Sequence, residues 1–197
     1  MALVAATAAL PGAGPGRVTG VMSEPMGPYV PGTTVWVVAE DCRRSYSTTV
    51  EPQTGRFAFE AIPPGTYSLV GYSLGFISRR TGEFQVESGV TTEVNLEMYL
   101  GSFDGGGIPK GEAPLNGRVV DEADRPITGA VVTDSRANSY WEESVSGEDG
   151  RFGTCRMPPG KVNLVVKHPE YRTRSLRLKV GIHNYSDGHL EIKLRKR

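Results

Sequence analysis

The sequence predicts an all-β protein with two tandem seven-stranded Greek-key β-sandwich domains joined by a glycine-rich linker. Two observations predict it: the chain repeats itself, and short apolar stretches alternate with turn residues throughout. The 197 residues include 25 Gly and 14 Pro, a share typical of a turn-rich chain but too small to indicate disorder. No long stretch has the 3.6-residue apolar period of a helix, so strands are expected throughout.

Internal repetition organises the chain. Residues 31–72 align with residues 126–167 at a constant shift of 95, with 12 of the 42 positions identical. Matching blocks are Gly55-Arg56-Phe57 with Gly150-Arg151-Phe152, Pro63-Pro64-Gly65 with Pro158-Pro159-Gly160 and, after a six-residue length difference, Gly16-Arg17-Val18 with Gly117-Arg118-Val119. A period of this length is too long for a solenoid unit, so each repeat is a domain with its own core.

The repeats divide the chain into four segments. We assign a flexible arm or signal remnant to residues 1–15, repeat 1 to 16–100, a linker to 101–114 and repeat 2 to 115–197. The linker contains five Gly and two Pro, which predicts a loose joint. The apolar start MALVAATAAL resembles the late part of a secretory signal, although its positively charged beginning is missing.

Each repeat shows the same series of short strands. In repeat 1 they are expected near 16–21, 33–39, 45–50, 56–60, 66–72, 82–87 and 92–98, and in repeat 2 near 115–120, 129–134, 139–145, 151–156, 161–167, 174–180 and 188–194. Leu176, Leu178 and Val180 alternate with polar residues, which indicates one buried and one wet face. Gly55 and Gly150 follow turn residues and are expected to take positive φ.

Four motifs of repeat 2 carry a family resemblance. They are Gly-Arg-Val at 117–119, Asp-Arg-Pro-Ile-Thr-Gly-Ala-Val-Val at 124–132, Asp-Gly-Arg-Phe at 149–152 and Met-Pro-Pro-Gly at 157–160. This pattern resembles carboxypeptidase regulatory-like domains, which belong to the transthyretin-like, or prealbumin-like, β-sandwich class. Repeat 1 departs at its first turn, where SEPMGPYVPG replaces the short turn. The resemblance implies an extracytoplasmic accessory module that is secreted, periplasmic or attached to the cell surface.

Catalytic and metal-binding patterns are weak. The three histidines are His168, His183 and His189, and no His-x-x-Glu pair of a zinc carboxypeptidase is present. We therefore expect no enzyme activity, no cofactor and no metal. Cys42 and Cys155 occupy non-equivalent positions in the two repeats. They are interpreted as two ordinary thiols, with a bridge between domains or chains as the alternative.

Charge is divided unevenly along a chain of zero net charge. Residues 1–160 hold 12 Lys and Arg against 19 Asp and Glu, a balance of −7, and residues 161–197 hold 10 against 3, a balance of +7. We expect no nucleic-acid partner and no membrane span. The basic end is either a solvated strand edge that discourages unwanted pairing, or a surface for an acidic partner such as another copy.

Strand parity separates core from surface aromatics. Val37 and Val132 match across the repeats and should point inward, so Trp36 should point outward, where the alternative is packing against the neighbouring repeat. Val50 and Val145 should also point inward. On the same strands, the parity makes Tyr46 and Trp141 core residues and Tyr140 a surface residue. The candidate partner- or glycan-binding residues are Trp36, Tyr140, Arg172, Arg174, Arg177 and Lys179.

These observations favour a non-catalytic module that recognises protein or carbohydrate. The alternative is a structural subunit that self-associates head to tail into a surface or extracellular filament, motivated by the charge division. In that case the apolar N-terminal arm would add a strand to the exposed sheet edge of a neighbour.

Overall fold

The computed structural model describes residues 14–25, 33–73, 76–77, 79–100, 113–135, 143–157, 160–180 and 190–197. These residues form 18 strands and no helix, so the all-β prediction is confirmed for the part described. Within it, nothing has the length and hydropathy of a membrane-crossing helix. The predicted arm, most of the linker, and the aromatic pair Tyr140 and Trp141 lie outside the described residues.

The strands of repeat 2 follow the predicted series closely, whereas those of repeat 1 are divided into more and shorter strands than predicted. In repeat 1 they are β1 Gly16–Ser23, β2 Thr34–Ala39, β3 Ser45–Thr49, β4 Arg56–Ile62, β5 Gly65–Tyr72, β6 Phe76–Ile77, β7 Arg79–Arg80, β8 Phe84–Val86, β9 Thr91–Glu93, β10 Leu96–Glu97 and β11 Tyr99–Leu100. In repeat 2 they are β12 Ala113–Val120, β13 Val131–Asp134, β14 Ser144–Val145, β15 Arg151–Met157, β16 Gly160–His168, β17 Tyr171–Val180 and β18 Leu190–Lys193.

Both repeats fold by one scheme of two facing sheets. In repeat 1, β1 pairs antiparallel with β4 and parallel with β9 and β10, while β3, β2 and β5 form the second sheet, with β7 and β8 both pairing with β5. In repeat 2, β12 lies between β15 and β18, and the second sheet has the order β14-β13-β16-β17. The first strand of each repeat therefore runs parallel to strands near its end, β1 to β9 and β10, and β12 to β18.

Each sandwich encloses its own core because its strands alternate in burial. In β1 the burial alternates strictly from Gly16 onward, and in β18 Leu190 and Ile192 are buried while their neighbours are exposed. Val18, Val37 and Leu69 belong to the core of repeat 1, and their counterparts in repeat 2 form a separate cluster. Period-two burial of this kind places one face of each sheet inward.

The turn glycines behave as predicted. Gly55 has φ 69° and Gly150 has φ 74°, a left-handed conformation that glycine adopts without steric cost. Each glycine precedes the Arg-Phe pair that both repeats share, and the phenylalanine of each pair, Phe57 and Phe152, is buried in the core of its repeat. The same turn chemistry thus starts β4 and β15.

Two register predictions were wrong. Val145 is 41% exposed instead of buried, because β13 pairs Val132 with Ser144 whereas β2 pairs Val37 with Tyr46. With the constant shift of 95, Val132 would pair with residue 141, so the observed pairing is displaced by three residues. A displacement by an odd number of residues turns every side chain of the strand to the other face. The opening strands also align differently, since Gly117 pairs with Phe152 where Gly20, not Gly16, pairs with Phe57.

Candidate functional site

A disulfide, apolar packing and hydrogen bonds meet at the junction between the two sandwiches. It begins at the turn between β2 and β3, where the amide of Cys42 donates to the carbonyl of Ala39 at 2.8 Å and Asp41 Oδ1 accepts from the amide of Arg43 at 3.0 Å. Cys42 has φ 58°, a conformation that a residue with a side chain rarely adopts. The turn carries its sulfur to β15 of the other repeat.

A disulfide links Cys42 to Cys155 across 113 residues of chain, with the two Cα atoms 4.9 Å apart. The interpretation as two ordinary thiols was wrong, and the alternative of a bridge between domains is what the structure shows. Equivalence between repeats did not reveal it, because the bond joins a turn of one repeat to a strand of the other.

An apolar patch lies beside the disulfide. Trp36 and Val38 on β2, and Val70 and Tyr72 on β5, form a buried cluster separate from either core, with Cys155 packed against it. Trp36 is 1% exposed. It does point away from the core, as its parity predicted, but its choice as a surface residue was wrong, because packing against the neighbouring repeat covers the ring. The alternative considered for Trp36 is therefore the one observed.

Backbone and polar contacts make this approach close. Gly153 on β15 lies against the carbonyl of Cys42, and a Cβ on it would collide with that oxygen. Asn116 on β12 donates from Nδ2 to Ser45 Oγ at 2.7 Å, and both side chains are buried. A buried polar pair needs its partner, since an unsatisfied polar group in the interior costs about 1–3 kcal/mol.

Charged groups close the rim of the junction. Arg43 Nη2 donates to the carbonyl of Val145 at 2.9 Å, and Arg44 Nη2 lies 3.1 Å from Asp149 Oδ2. Partial burial of Asp149 opposes its ionisation, but the amide of Arg151 and the guanidinium of Arg44 outweigh it and lower the pKa of the carboxyl. Both side chains of the ion pair are about half exposed, so its contribution to stability is below about 1 kcal/mol.

The predicted basic residues lie elsewhere. Arg172, Arg174, Arg177 and Lys179 are all exposed on β17. Arg174 is engaged within the fold, donating from Nη1 to the carbonyl of Lys193 at 2.6 Å. The structure does not bring these four residues together with Trp36, and Tyr140 lies outside the described residues. Among the residues that the structure describes, no group of three or more His, Cys, Asp or Glu side chains could hold a metal ion.

Sequence reasoning missed Asn116, Gly153 and the rim pair. One signal was present for the apolar patch: TVWVVA in β2 is apolar at both parities, which is typical of a strand buried on both faces. The matching strand of repeat 2, VVTD, has a half-buried outer side. The repeats therefore differ in whether the outer face is covered.

Comparisons with known proteins agree with this fold. The model of the carboxypeptidase regulatory-like domain matches residues 17–99 and again residues 114–194. The comparison with curated protein sequences found no match.

Several solved structures are similar over most of the chain. The Bacillus anthracis TIE protein is 16% identical, with 93% of this chain and 34% of that one covered at a TM-score of 0.38. A streptococcal ancillary pilin is 16% identical, with 92% and 62% covered at 0.35. The pilus backbone of Streptococcus pneumoniae is 10% identical, with 94% and 65% covered at 0.38. The chain thus spans less than two thirds of these three proteins, and similarity this low carries no functional conclusion.

Proposed function

The chain belongs to the carboxypeptidase regulatory-like domain family, and on that premise we propose that it is a non-catalytic structural unit of an extracytoplasmic protein. Its two sandwiches act as one stiff body that spaces or joins other parts of an assembly. The observation that carries the proposal is the junction, which a disulfide, a buried apolar patch and a buried hydrogen bond hold together.

Stiffness follows from the number of independent restraints. The disulfide alone leaves a hinge, since rotation about its bonds remains possible. The patch around Trp36 and the close contact of Gly153 fix the sheet-to-sheet distance, and the bond between Asn116 and Ser45 fixes the lateral position. Domains joined only by a flexible linker move independently of each other. The contacts at this junction instead hold the two domains in one fixed relative orientation.

The disulfide also supports the compartment. Structural disulfides persist in secreted, periplasmic and cell-surface proteins and are rare in the cytosol. The disulfide between Cys42 and Cys155 lies beside buried residues of the junction, as expected of a disulfide with a structural role.

The test is a comparison of solution shape with and without the junction. Non-reducing peptide mapping should find the Cys42 and Cys155 peptides linked within one chain. Small-angle scattering should give one compact two-domain particle. The combined variant Cys42→Ser with Trp36→Ser should broaden the distance distribution, while Tyr99→Ser, which removes an exposed ring, should not. A wild-type profile that only an ensemble of domain orientations can fit would reject the structural unit.

A second candidate is recognition of an anionic partner, protein or polysaccharide, by the basic side of repeat 2. It is favoured by the exposure of Arg177 and Lys179 on β17, where they alternate with half-buried Leu176 and Leu178. Binding of dextran sulfate but not neutral dextran, weakened by Arg177→Glu with Lys179→Glu and unchanged by Arg195→Glu, would support it. Equal binding by all three proteins would reject a site on this face.

A further inference from the structure

We propose that the sheet β14-β13-β16-β17 of one molecule docks the sheet β4-β1-β9-β10 of a second copy, so that the internal junction is repeated between molecules. The inference rests on the structural role proposed above and names the two surfaces that such a unit would use to assemble.

The internal junction joins two different faces. One, here called the acceptor face, is the outer side of β3-β2-β5 in repeat 1, which carries Trp36 and Val38. The other, here called the donor face, is the outer side of β15-β12 in repeat 2, which carries Asn116, Gly153 and Cys155. Because both repeats follow one strand scheme, each has both faces, and the junction uses one of each. Among the described residues, the junction leaves the acceptor face of repeat 2 and the donor face of repeat 1 unused.

The left-over acceptor face has an apolar centre with basic surroundings. Val131 and Val165 are half-buried there, and Val145 is 41% exposed. The pairing registers place Lys167 opposite Val131 and Arg177 opposite Asn163, so both cations emerge on this side of the sheet. Both are exposed. An exposed apolar strip inside a polar rim is typical of an interaction surface.

The left-over donor face has the same strand pairing as the donor face used at the junction. Thr19 pairs with Ala58 in repeat 1 as Asn116 pairs with Gly153 in repeat 2, so these small residues stand where the junction makes its closest approach. Thr19 and Ala58 line a shallow groove of about 720 Å³ along this sheet. Their small side chains let another sheet come close, as Gly153 does at the junction.

Charge distinguishes the proposed contact between molecules from the junction within one molecule. Glu60 occupies the place of Cys155 in the shared scheme, and Glu93, also exposed, pairs beside Thr19. Glu60 is already paired with Arg17, whose Nε lies 2.9 Å from Glu60 Oε2, so Glu93 is the carboxylate that would face Lys167 and Arg177 of the partner. Residues 16–100 hold 6 Lys and Arg against 9 Asp and Glu, whereas residues 115–197 hold 15 against 11, so the two repeats attract. With no cysteine at this position, the contact is reversible and weakened by salt.

The arrangement is heterologous and does not close on itself. In the part of the chain that the structure describes, the unused acceptor face and the unused donor face belong to different repeats. A contact of this type adds copies in one direction, so that mass grows with concentration. A symmetric dimer would instead use one face twice.

The test uses variants that block one face each. Ala58→Lys with Glu93→Lys blocks the donor face, and Val145→Glu with Arg177→Glu blocks the acceptor face. Sedimentation velocity in low salt should show wild type growing beyond the 21.3 kDa monomer with concentration. Each blocked protein alone should remain a monomer, with association weakened at least tenfold. An equimolar mixture should form dimers and nothing larger, because each protein contributes its one intact face.

Controls separate this proposal from the structural one. Arg195→Glu, which makes the same charge reversal as Arg177→Glu but beyond β18, should assemble like wild type. Monomeric wild type at every concentration, assembly of either blocked protein alone, or a mixture that stays monomeric would each overturn the docking. Scattering on the acceptor-blocked monomer reports the stiffness of the junction separately. A stiff monomer without assembly refutes only the docking, whereas a flexible one refutes the structural unit.

Discussion

Gly153→Ala tests the closeness of the junction with a single methyl group. A Cβ at this position would overlap the carbonyl oxygen of Cys42 and come within 3.0 Å of Asn116 Cβ. The oxygen is backbone in a turn tethered by the disulfide, so it cannot rotate away as a side chain would. Overpacking of this type costs about 1–3 kcal/mol. We expect a loss of unfolding free energy near the upper end of this range, or a partial separation of the sheets that exposes Trp36.

The assay combines urea unfolding with acrylamide quenching of tryptophan fluorescence. Gly82→Ala is the matched control, because a Cβ there meets no atom within 4 Å and the same methyl should change neither quantity. For Gly153→Ala, we expect a lower unfolding midpoint and stronger quenching. Unchanged stability and quenching would refute the close packing of β15 on the turn at Cys42.

Three further perturbations follow from the junction. Cys42→Ser with Cys155→Ser should lower the free energy of unfolding measured in urea by up to roughly 4–5 kcal/mol, the chain-entropy value for a loop of this length, and no loss would contradict a native bridge. Asn116→Leu should cost about 1–3 kcal/mol by leaving Ser45 unpaired, and Ser45→Ala in the same background should recover part of it. Because the folded pKa of Asp149 is lowered, its stabilisation is present above the unfolded value of about 3.9 and lost as pH falls through the folded value. The stability difference between wild type and Asp149→Asn should therefore shrink below about pH 4, and a difference that grows on acidification would contradict the pair with Arg44.

Local pattern predicted the sandwiches well. The strand series, the positive φ of Gly55 and Gly150, and the inward side chains of Val37 and Val132 all depend on contacts within one repeat. The alternation and the turn residues that encode them lie within a few residues of each other, so they are visible in the sequence.

The junction was hidden because its partners are distant in the chain. Parity correctly turned Trp36 away from the core, but nothing near Trp36 in the sequence shows that Cys155 of the other repeat packs against its cluster. The odd register offset at β14 that exposes Val145 depends on how β13 and β14 pair, which the aligned repeats do not record. The Cys42–Cys155 bond likewise joins positions that no repeat symmetry relates.

The most direct test of the rigid two-sandwich unit is ¹⁵N relaxation of the oxidised monomer, because it reports the tumbling of each repeat separately. With the junction closed, amides of β1 and β12 should share one rotational correlation time, that of a 21.3 kDa body, and both times should shorten in Cys42→Ser with Trp36→Ser. Two different, shorter correlation times in the oxidised wild-type protein would contradict the account.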